Sequence, residues 1–270
     1  MPDFSILLPP AEGKQPGGNP FAPDMFDYRT SNTFNYFSEL NPERRKLIDA
    51  LQETIQNDAD LEALFGVRGE HLDEAVRVNL EIFNAPLMSA LDRYSPGVMF
   101  KAMDFGGLPT GAQRRLLENG VIFSGLFGLL RPDDLIPNYR LRMDASLPGA
   151  GKVQQFWRPV ISPVLNRTVE GLVVWNLLPS IHENAWDDAH TYRQMIRVKF
   201  FKEKDGRRYP VTHGVKVLRG QLVNFIVRET PEDIEPLREW THPEGYVLDS
   251  DAVEHDEQTK TVTVAFVRAE

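Results

Sequence analysis

Apolar residues along this chain occur in two patterns, continuous runs and helical repeats. Residues 4–8, 121–130 and 171–178 are almost entirely apolar. This predicts buried strands for the first and third runs, and either a buried strand or a turn for the second. Helical spacing of apolar positions predicts a helix over residues 41–56, with Asn41 as its cap. Strands and helices therefore both belong to the fold, in no regular repeat.

The second half of the chain continues this mixture. Amphipathic spacing predicts helices over residues 152–165 and 214–228, although two prolines interrupt the first. A hairpin is expected around residues 204–206, and residues 97–100 are expected to form a strand. These elements predict an α+β fold: a single compact domain spanning residues 1–270, with a mixed β-sheet surrounded by helices.

The composition narrows the classes of protein that need to be considered. The chain has 270 residues, 41% of them apolar, and no cysteine. Disulfides, thiolate metal sites and cysteine nucleophiles are therefore excluded. The N-terminus lacks a basic segment of the signal-peptide type, and no apolar stretch approaches the length of a membrane span. We expect a cytoplasmic protein without a membrane partner.

Charge is distributed unevenly along the chain. The net charge is −9, which argues against general binding to nucleic acids. Residues 131–219, however, carry 15 Lys and Arg side chains against 9 Asp and Glu. A basic middle between acidic ends is compatible with one anion-binding face on an acidic body.

The most informative segment is residues 124–144, SGLFGLLRPDDLIPNYRLRMD. Its apolar residues are interleaved with glycines, prolines and arginines, and the alternation around Arg140 resembles that of a strand. The planar guanidinium groups of Arg131 and Arg140 suit phosphate or carboxylate recognition. The alternative is that these arginines form ion pairs with the aspartates of the same segment.

A second candidate is the loop that follows the first predicted strand. Residues 9–14, PPAEGK, place Glu12 and Lys14 beside a glycine, where main-chain amides can face an anion. The glycine pattern of a P-loop is absent. The alternative is a solvated turn.

The third candidate follows the buried run at 171–178. Asn176 and Ser180 could orient a ligand, and His182 with Glu183 could transfer protons. Because His182 and Glu183 are adjacent, they would face opposite ways on a strand, which weakens a shared catalytic role.

The predicted helix at 214–225 is the fourth candidate. Lys216 and Arg219 lie near its positive end, where a bound anion would relieve their repulsion. Gly220 costs helix stability, which suggests the close approach of a neighbour or a ligand. A solvated basic face is the alternative.

Two weaker patterns complete the survey. Residues 106–115, GGLPTGAQRR, are similar to a helix-hairpin-helix turn whose glycine amides hold a DNA phosphate, although Gly-Leu-Pro helix starts are common. The six histidines show no paired spacing, so we expect no metal site and no cofactor.

The motifs together resemble the YaaA family of bacterial proteins. The N-terminal LLPPAEGK is similar to the family's strand and SPAK-like loop, and residues 124–143 are similar to its SGLYGVLRPLD…PYRLEM block. FW at 156–157, NL at 176–177, the helix at 216–225 and EGY at 244–246 also match. The resemblance covers almost the whole chain.

The resemblance implies a cytoplasmic protein of peroxide stress with a mixed α/β fold. It further implies restraint of iron-driven oxidative damage and binding of duplex DNA through an electropositive groove. The residues that it carries over as phosphate-binding candidates are Lys14, Arg131, Arg140, Lys216 and Arg219. It implies no established catalytic mechanism.

Two functions remain open at this point. The first is a DNA-binding stress protein. The second is an enzyme acting on a nucleotide, a nucleoside or another small anion, in a pocket formed by the 9–14 loop, the 124–144 segment and the 214–225 helix. In the enzyme, Glu12 would be the general acid or base, and Asn176 or Ser180 would orient the substrate. Direct iron sequestration ranks last, because no spaced set of carboxylates is visible.

Overall fold

The computed structural model describes residues 4–22, 35–57 and 60–269. The strands of this part of the chain are β1 (Phe4–Leu8), β2 (Met88–Ser89), β3 (Gly120–Ser124), β4 (Gly128–Leu130), β5 (Leu135–Ile136), β6 (Ser146–Leu147), β7 (Gly151–Lys152), β8 (Val173–Asn176), β9 (Gln194–Lys204), β10 (Arg207–Pro210), β11 (Val247–Asp256) and β12 (Thr261–Ala269). The helices are α1 (Asn41–Gln56), α2 (Leu61–Phe65), α3 (Glu70–Leu80), α4 (Ala90–Arg93), α5 (Val98–Met103), α6 (Thr110–Asn119), α7 (Val153–Thr168), α8 (Ser180–Glu183), α9 (Val215–Glu229) and α10 (Glu235–Glu239).

One eight-stranded sheet organises the fold, in the order β11-β12-β9-β8-β1-β3-β4 with β10 beside β9. The strands from β12 to β3 pair in parallel, whereas β4, β10 and β11 pair antiparallel. All five residues of β1 are buried, because helices cover both faces of the sheet and a continuous apolar run satisfies both. The prediction of an α+β fold with a mixed sheet is confirmed.

The topology places three strand ends side by side. β1 lies between β3 and β8 and is parallel to both, so the carboxyl ends of the three strands meet at one edge of the sheet. Ligands of open parallel sheets bind beyond that edge, where successive connections leave in opposite directions. The 9–14 loop, Gly125 and Pro179 follow these strands directly.

Helix α1 is held to the sheet by a buried arginine. Arg44 is fully buried and donates hydrogen bonds to the main-chain oxygens of Phe127 (2.9 Å) and Leu129 (2.7 Å) at the edge strand β4. The side-chain oxygens of Asn35 and Asn41 accept from the same guanidinium. The prediction that Asn41 caps α1 is wrong, since Asn41 is helical and its amide serves Arg44 instead.

Helix α7 runs without a break through both of its prolines, so the prediction that they interrupt this helix is wrong. Pro159 and Pro163 lie inside the helix on its exposed side. Each proline removes one main-chain hydrogen bond, and on that side the carbonyl left over can bond to water. Trp157, on the opposite side, is fully buried and donates to the Gly125 oxygen (2.8 Å).

Helices α5 and α9 pack closely at a glycine. A Cβ atom at Gly220 would lie 2.3 Å from the Met99 oxygen and 2.8 Å from the Ala102 Cβ, so the close approach expected there is confirmed, with a neighbouring helix. The strand predicted at 97–100 is wrong: Gly97 precedes α5, and a four-residue apolar run does not distinguish a strand from a buried helical turn. The hairpin at 204–206 is confirmed by β9 and β10.

No helix among residues 4–22, 35–57 and 60–269 combines the length and the apolarity that crossing a bilayer requires.

Candidate functional site

A cavity of about 510 Å³ opens at the carboxyl edge of the parallel strands. Its walls are the 9–14 loop, residues 96–100 at the start of α5, Gly125, residues 139–144, Pro179 with part of α8, and the first turns of α9. This volume lies in the range of sites that enclose a small molecule. The cavity therefore brings together segments that are more than 200 residues apart in sequence.

Residues 139–144 form one wall without forming a strand. Tyr139, Leu141 and Met143 are buried, whereas Arg140 and Arg142 are not, so the predicted alternation holds in an irregular backbone. A Cβ atom at Gly125 would lie 2.4 Å from the Leu141 oxygen. Glycine is thus required for β3 and this segment to approach each other.

Lys14 reaches the cavity over two tyrosine rings. Its Nζ atom lies 4.2 Å from the centroid of the Tyr139 ring and 5.7 Å from that of Tyr94, and it donates to the Glu12 main-chain oxygen (3.4 Å). Burial is the main cause that lowers the pKa of Lys14 to about 7, with the positive charge of Arg140 as the next. A substantial fraction of this amine is consequently uncharged at neutral pH.

The tyrosines beneath Lys14 form a hydrogen-bonded chain. The Tyr94 and Tyr139 hydroxyls are 2.6 Å apart, and the Ser124 hydroxyl lies 2.7 Å from that of Tyr139. Burial raises the pKa of Tyr139 to about 12 and that of Tyr94 well above its usual range. Both rings therefore stay neutral, and the Tyr139 ring gives the cavity an aromatic surface. Tyr94 was missed by the sequence analysis, because no local pattern marks it.

Three further cations line the same cavity. Arg140 donates to the Phe65 oxygen (3.3 Å), Lys216 is exposed at the first turn of α9, and Arg219 follows one turn later. Neither Lys216 nor Arg219 forms an ion pair with a carboxylate of the described residues. The Arg219 Nε atom is buried without a hydrogen-bond partner in that part of the chain, and burial lowers the pKa of its guanidinium. A bound anion would satisfy it.

Arg142 differs from these cations. Its guanidinium forms a two-pronged contact with the Asp144 carboxylate, with a distance of 2.9 Å from Nε to Oδ1. Both residues line the cavity. The alternative considered for the arginines of this segment, internal ion pairing, therefore holds at Arg142.

Several predicted site residues lie outside the cavity. Arg131 is not among its lining residues: its Nε atom donates to the Leu117 oxygen (2.8 Å) and its guanidinium stacks on Tyr36. Asn176 is also outside, donating to Glu183 (2.7 Å) and accepting from the Leu178 amide. Ser180 begins α8 without lining the cavity. The cavity thus contains Glu12, Lys14, Arg140, Lys216 and Arg219, but not these three.

His182 contributes a neutral imidazole. Its ring lines the cavity, and its Nδ1 atom is buried with no hydrogen-bond partner among the described residues. Burial lowers the pKa of His182 to about 4, against a small opposing effect of Asp144. At neutral pH the ring can therefore donate or accept a hydrogen bond without carrying charge.

The lowered pKa of His182 predicts that the protein loses folding stability in acid. The folded-state pKa of His182 lies below the ordinary 6.5, so the unfolded chain binds a proton first as the pH falls from about 6.5 to 4. Wild-type stability should thus drop by about 1–2 kcal/mol more than that of His182→Gln between pH 7 and pH 5. Urea unfolding of both proteins at the two pH values measures this, and equal losses would contradict it.

Known proteins that are similar to this chain place it in a family. A family model described as peroxide stress protein YaaA matches residues 4–252. A UPF0246 protein of Streptomyces coelicolor is 29% identical over 257 residues, covering 92% of each chain. A UPF0246 protein of Corynebacterium efficiens is 31% identical over 236 residues, covering 84% of this chain and 86% of its own length. An uncharacterized protein of Campylobacter jejuni is 27% identical over 226 residues, covering 82% of this chain and 84% of its own length.

The matched residues include the 9–14 loop, residues 124–144 and the first turns of α9, which are the segments that carried the resemblance in sequence. They also include every element that surrounds the cavity. The prediction made from the motifs is confirmed: the chain belongs to the YaaA, or UPF0246, family of peroxide stress proteins.

Proposed function

We propose that this member of the peroxide stress family is an enzyme that binds and acts on a small anion of nucleotide size in the 510 Å³ cavity. The observation that carries the proposal is the convergence of Lys14, Arg140, Lys216 and Arg219 on one concave site. Two of these cations lack a carboxylate partner among the described residues, so they are available to a ligand. Binding pockets concentrate such groups, whereas a structural ion-pair network would neutralise them.

The remaining lining residues suit the recognition of a small molecule. Met99, Phe100 and Leu141 supply apolar surface, and the Tyr139 ring supplies an aromatic one. Glu12 offers the general acid or base, and His182 offers a neutral hydrogen-bonding group. A nucleotide combines a phosphate, a polar sugar and an aromatic base, and it would use all of these features.

The test is calorimetric titration with AMP, ATP, adenosine and inorganic phosphate. Wild-type protein should bind at least one of the charged compounds more tightly than adenosine. The double variant Lys216→Gln/Arg219→Gln should lose affinity by about 10- to 100-fold or more, since each lost charge-assisted hydrogen bond costs about 1.5–3 kcal/mol.

Arg114→Gln provides the matched control. Arg114 is exposed on α6 and pairs with Glu118, away from the cavity, so its loss removes a positive charge without touching the site. Its affinity should stay within about twofold of wild type. The proposal fails if none of the compounds binds, or if the double variant binds as well as the control.

Duplex DNA is the second candidate ligand, favoured by the turn between α5 and α6. Residues 104–109 connect two helices as a hairpin, and a Cβ atom at Gly106 would meet no atom within 4 Å, so the main chain at this one glycine is accessible to a phosphate. The Asp104 carboxylate lies against the neighbouring Gly107 and would repel a phosphate there. Protection against iron-driven damage, which the family resemblance implies, would then follow from DNA coverage. The net charge of −9 repels DNA at long range and so opposes DNA binding.

The same titration separates the two candidates. A short DNA duplex that competes with the nucleotide would place DNA in the cavity. A duplex that binds without competing would assign it to the hairpin, and its affinity should fall steeply between about 50 and 200 mM salt.

A further inference from the structure

The cavity holds a lysine whose surroundings disfavour its charge. Lys14 has no carboxylate within ion-pair distance among the described residues, and its hydrogen bond in this part of the chain is to the Glu12 main-chain oxygen. Arg140 shares the cavity, and Arg93 lies fully buried behind the loop, donating to the Pro86 and Ile136 oxygens (3.0 and 3.2 Å). The uncharged fraction of this amine can act as a nucleophile.

We propose that Lys14 attacks the carbonyl carbon of an anionic aldehyde or ketone, such as an oxo acid or a phosphorylated aldehyde, and forms an imine with it. The inference rests on the proposed function, because it assigns a substrate class and a covalent step to the same cavity. It goes beyond anion binding in giving Lys14 a covalent step.

The geometry separates the reacting group from the anion-holding groups. The Lys14 amine is held over the Tyr139 ring at 4.2 Å, in the loop that follows β1. Lys216 and Arg219 lie on α9, a different wall of the cavity. A carboxylate or phosphate held by α9 leaves the other end of the molecule to reach the amine.

The groups that face the amine account for its reactivity. Burial and the charges of Arg140 and Arg93 lower the pKa of Lys14 to about 7, while Glu12 opposes them. Tyr94 and Tyr139 stay neutral, so they add no negative charge that would hold a proton on the amine. Lysines on the protein surface remain protonated until about pH 10.

The step balances without an oxidant or a reductant. The nitrogen lone pair forms the C–N bond as the C=O π pair moves to oxygen, which takes a proton and gives a carbinolamine. Loss of the nitrogen proton and of the hydroxyl group as water then gives the imine. Glu12, the carboxyl group on the same loop, is placed to supply and recover these protons.

The experiment is reductive trapping of the full chain with glyoxylate or glyceraldehyde 3-phosphate and sodium cyanoborohydride, followed by peptide mapping. We expect one dominant adduct, at Lys14, whose rate of formation rises through about pH 7 rather than pH 10. Lys14→Arg and Lys14→Met should lose it by at least tenfold. Lys101→Met, which removes an exposed lysine of α5 outside the cavity lining, should retain it.

Phosphate titration of the same preparations separates failure of this inference from failure of the proposed function. Wild-type protein that binds phosphate but gives no Lys14 adduct, or labels Lys14 no faster than Lys101, overturns the imine and leaves anion binding standing. If the Lys14 adduct forms but phosphate binding is not measurable, the proposal that Lys14 is a nucleophile stands and the proposal that the cavity binds anions fails.

Discussion

Replacing Arg44 with methionine should destabilise the fold by about 3–5 kcal/mol. The guanidinium is fully buried and binds two main-chain oxygens of the β4 region together with Asn35 and Asn41. Methionine fills a similar volume but donates no hydrogen bond, so the main-chain oxygens of Phe127 and Leu129 lose the donors that Arg44 supplies. Each buried acceptor without a partner costs about 1–3 kcal/mol.

The loss is measured as the change in the urea unfolding midpoint at constant m-value. Lys46→Met is the matched control: it lies two residues further along α1, is exposed and pairs with Glu43 at 2.8 Å. We expect it to cost about 0.5 kcal/mol or less. If Arg44→Met costs no more than the control, the guanidinium does not anchor α1.

Gly220→Ala is the second substitution with a large expected effect, a net destabilisation of about 2 kcal/mol. Alanine favours an ordinary helix by about 1 kcal/mol over glycine. Here its Cβ would lie 2.3 Å from the Met99 oxygen and 3.0 Å from the Met103 amide nitrogen. Both are main-chain atoms, which cannot relieve the clash by changing rotamer as a side chain can. Helices α5 and α9 must therefore move apart, at a cost typical of overpacking.

Nucleotide affinity should fall together with stability, because both helices supply walls of the cavity. Gly106→Ala gives the control, since its Cβ would meet nothing within 4 Å. Calorimetry and urea unfolding of both variants test the expectation. A Gly220→Ala protein as stable as wild type would show that the helices yield without cost.

The sequence predicted more of the residues that line the cavity than of the residues that form buried hydrogen-bond networks. Lys14 was predicted from a charged residue beside glycine in the loop after a buried strand. Arg140 was predicted from the alternation of residues 139–143, and Lys216 from its place near the start of a predicted helix. Arg44 could not be found in this way. An arginine on an amphipathic helix is expected at the surface, and the two main-chain oxygens that accept from Arg44 are more than 80 residues away.

Arg131 does not line the cavity, for a related reason. It lies within the same motif as Arg140, but the turn after β4 directs it towards Leu117 and Tyr36. Two side chains that are close in sequence can point in different directions when the chain bends between them. Tyr94 shows the converse, since only the tertiary structure brings it to Tyr139.

Helix α5 borders both sites to which an anion is assigned here: its first residues line the cavity, and its last residue leads into the 104–109 hairpin. An occupant of the cavity that displaces α5 must also displace the hairpin. If DNA binds the hairpin as proposed, thermodynamic linkage requires DNA and that occupant to change each other's affinity by the same factor. The six residues of α5 would then couple the two proposed sites.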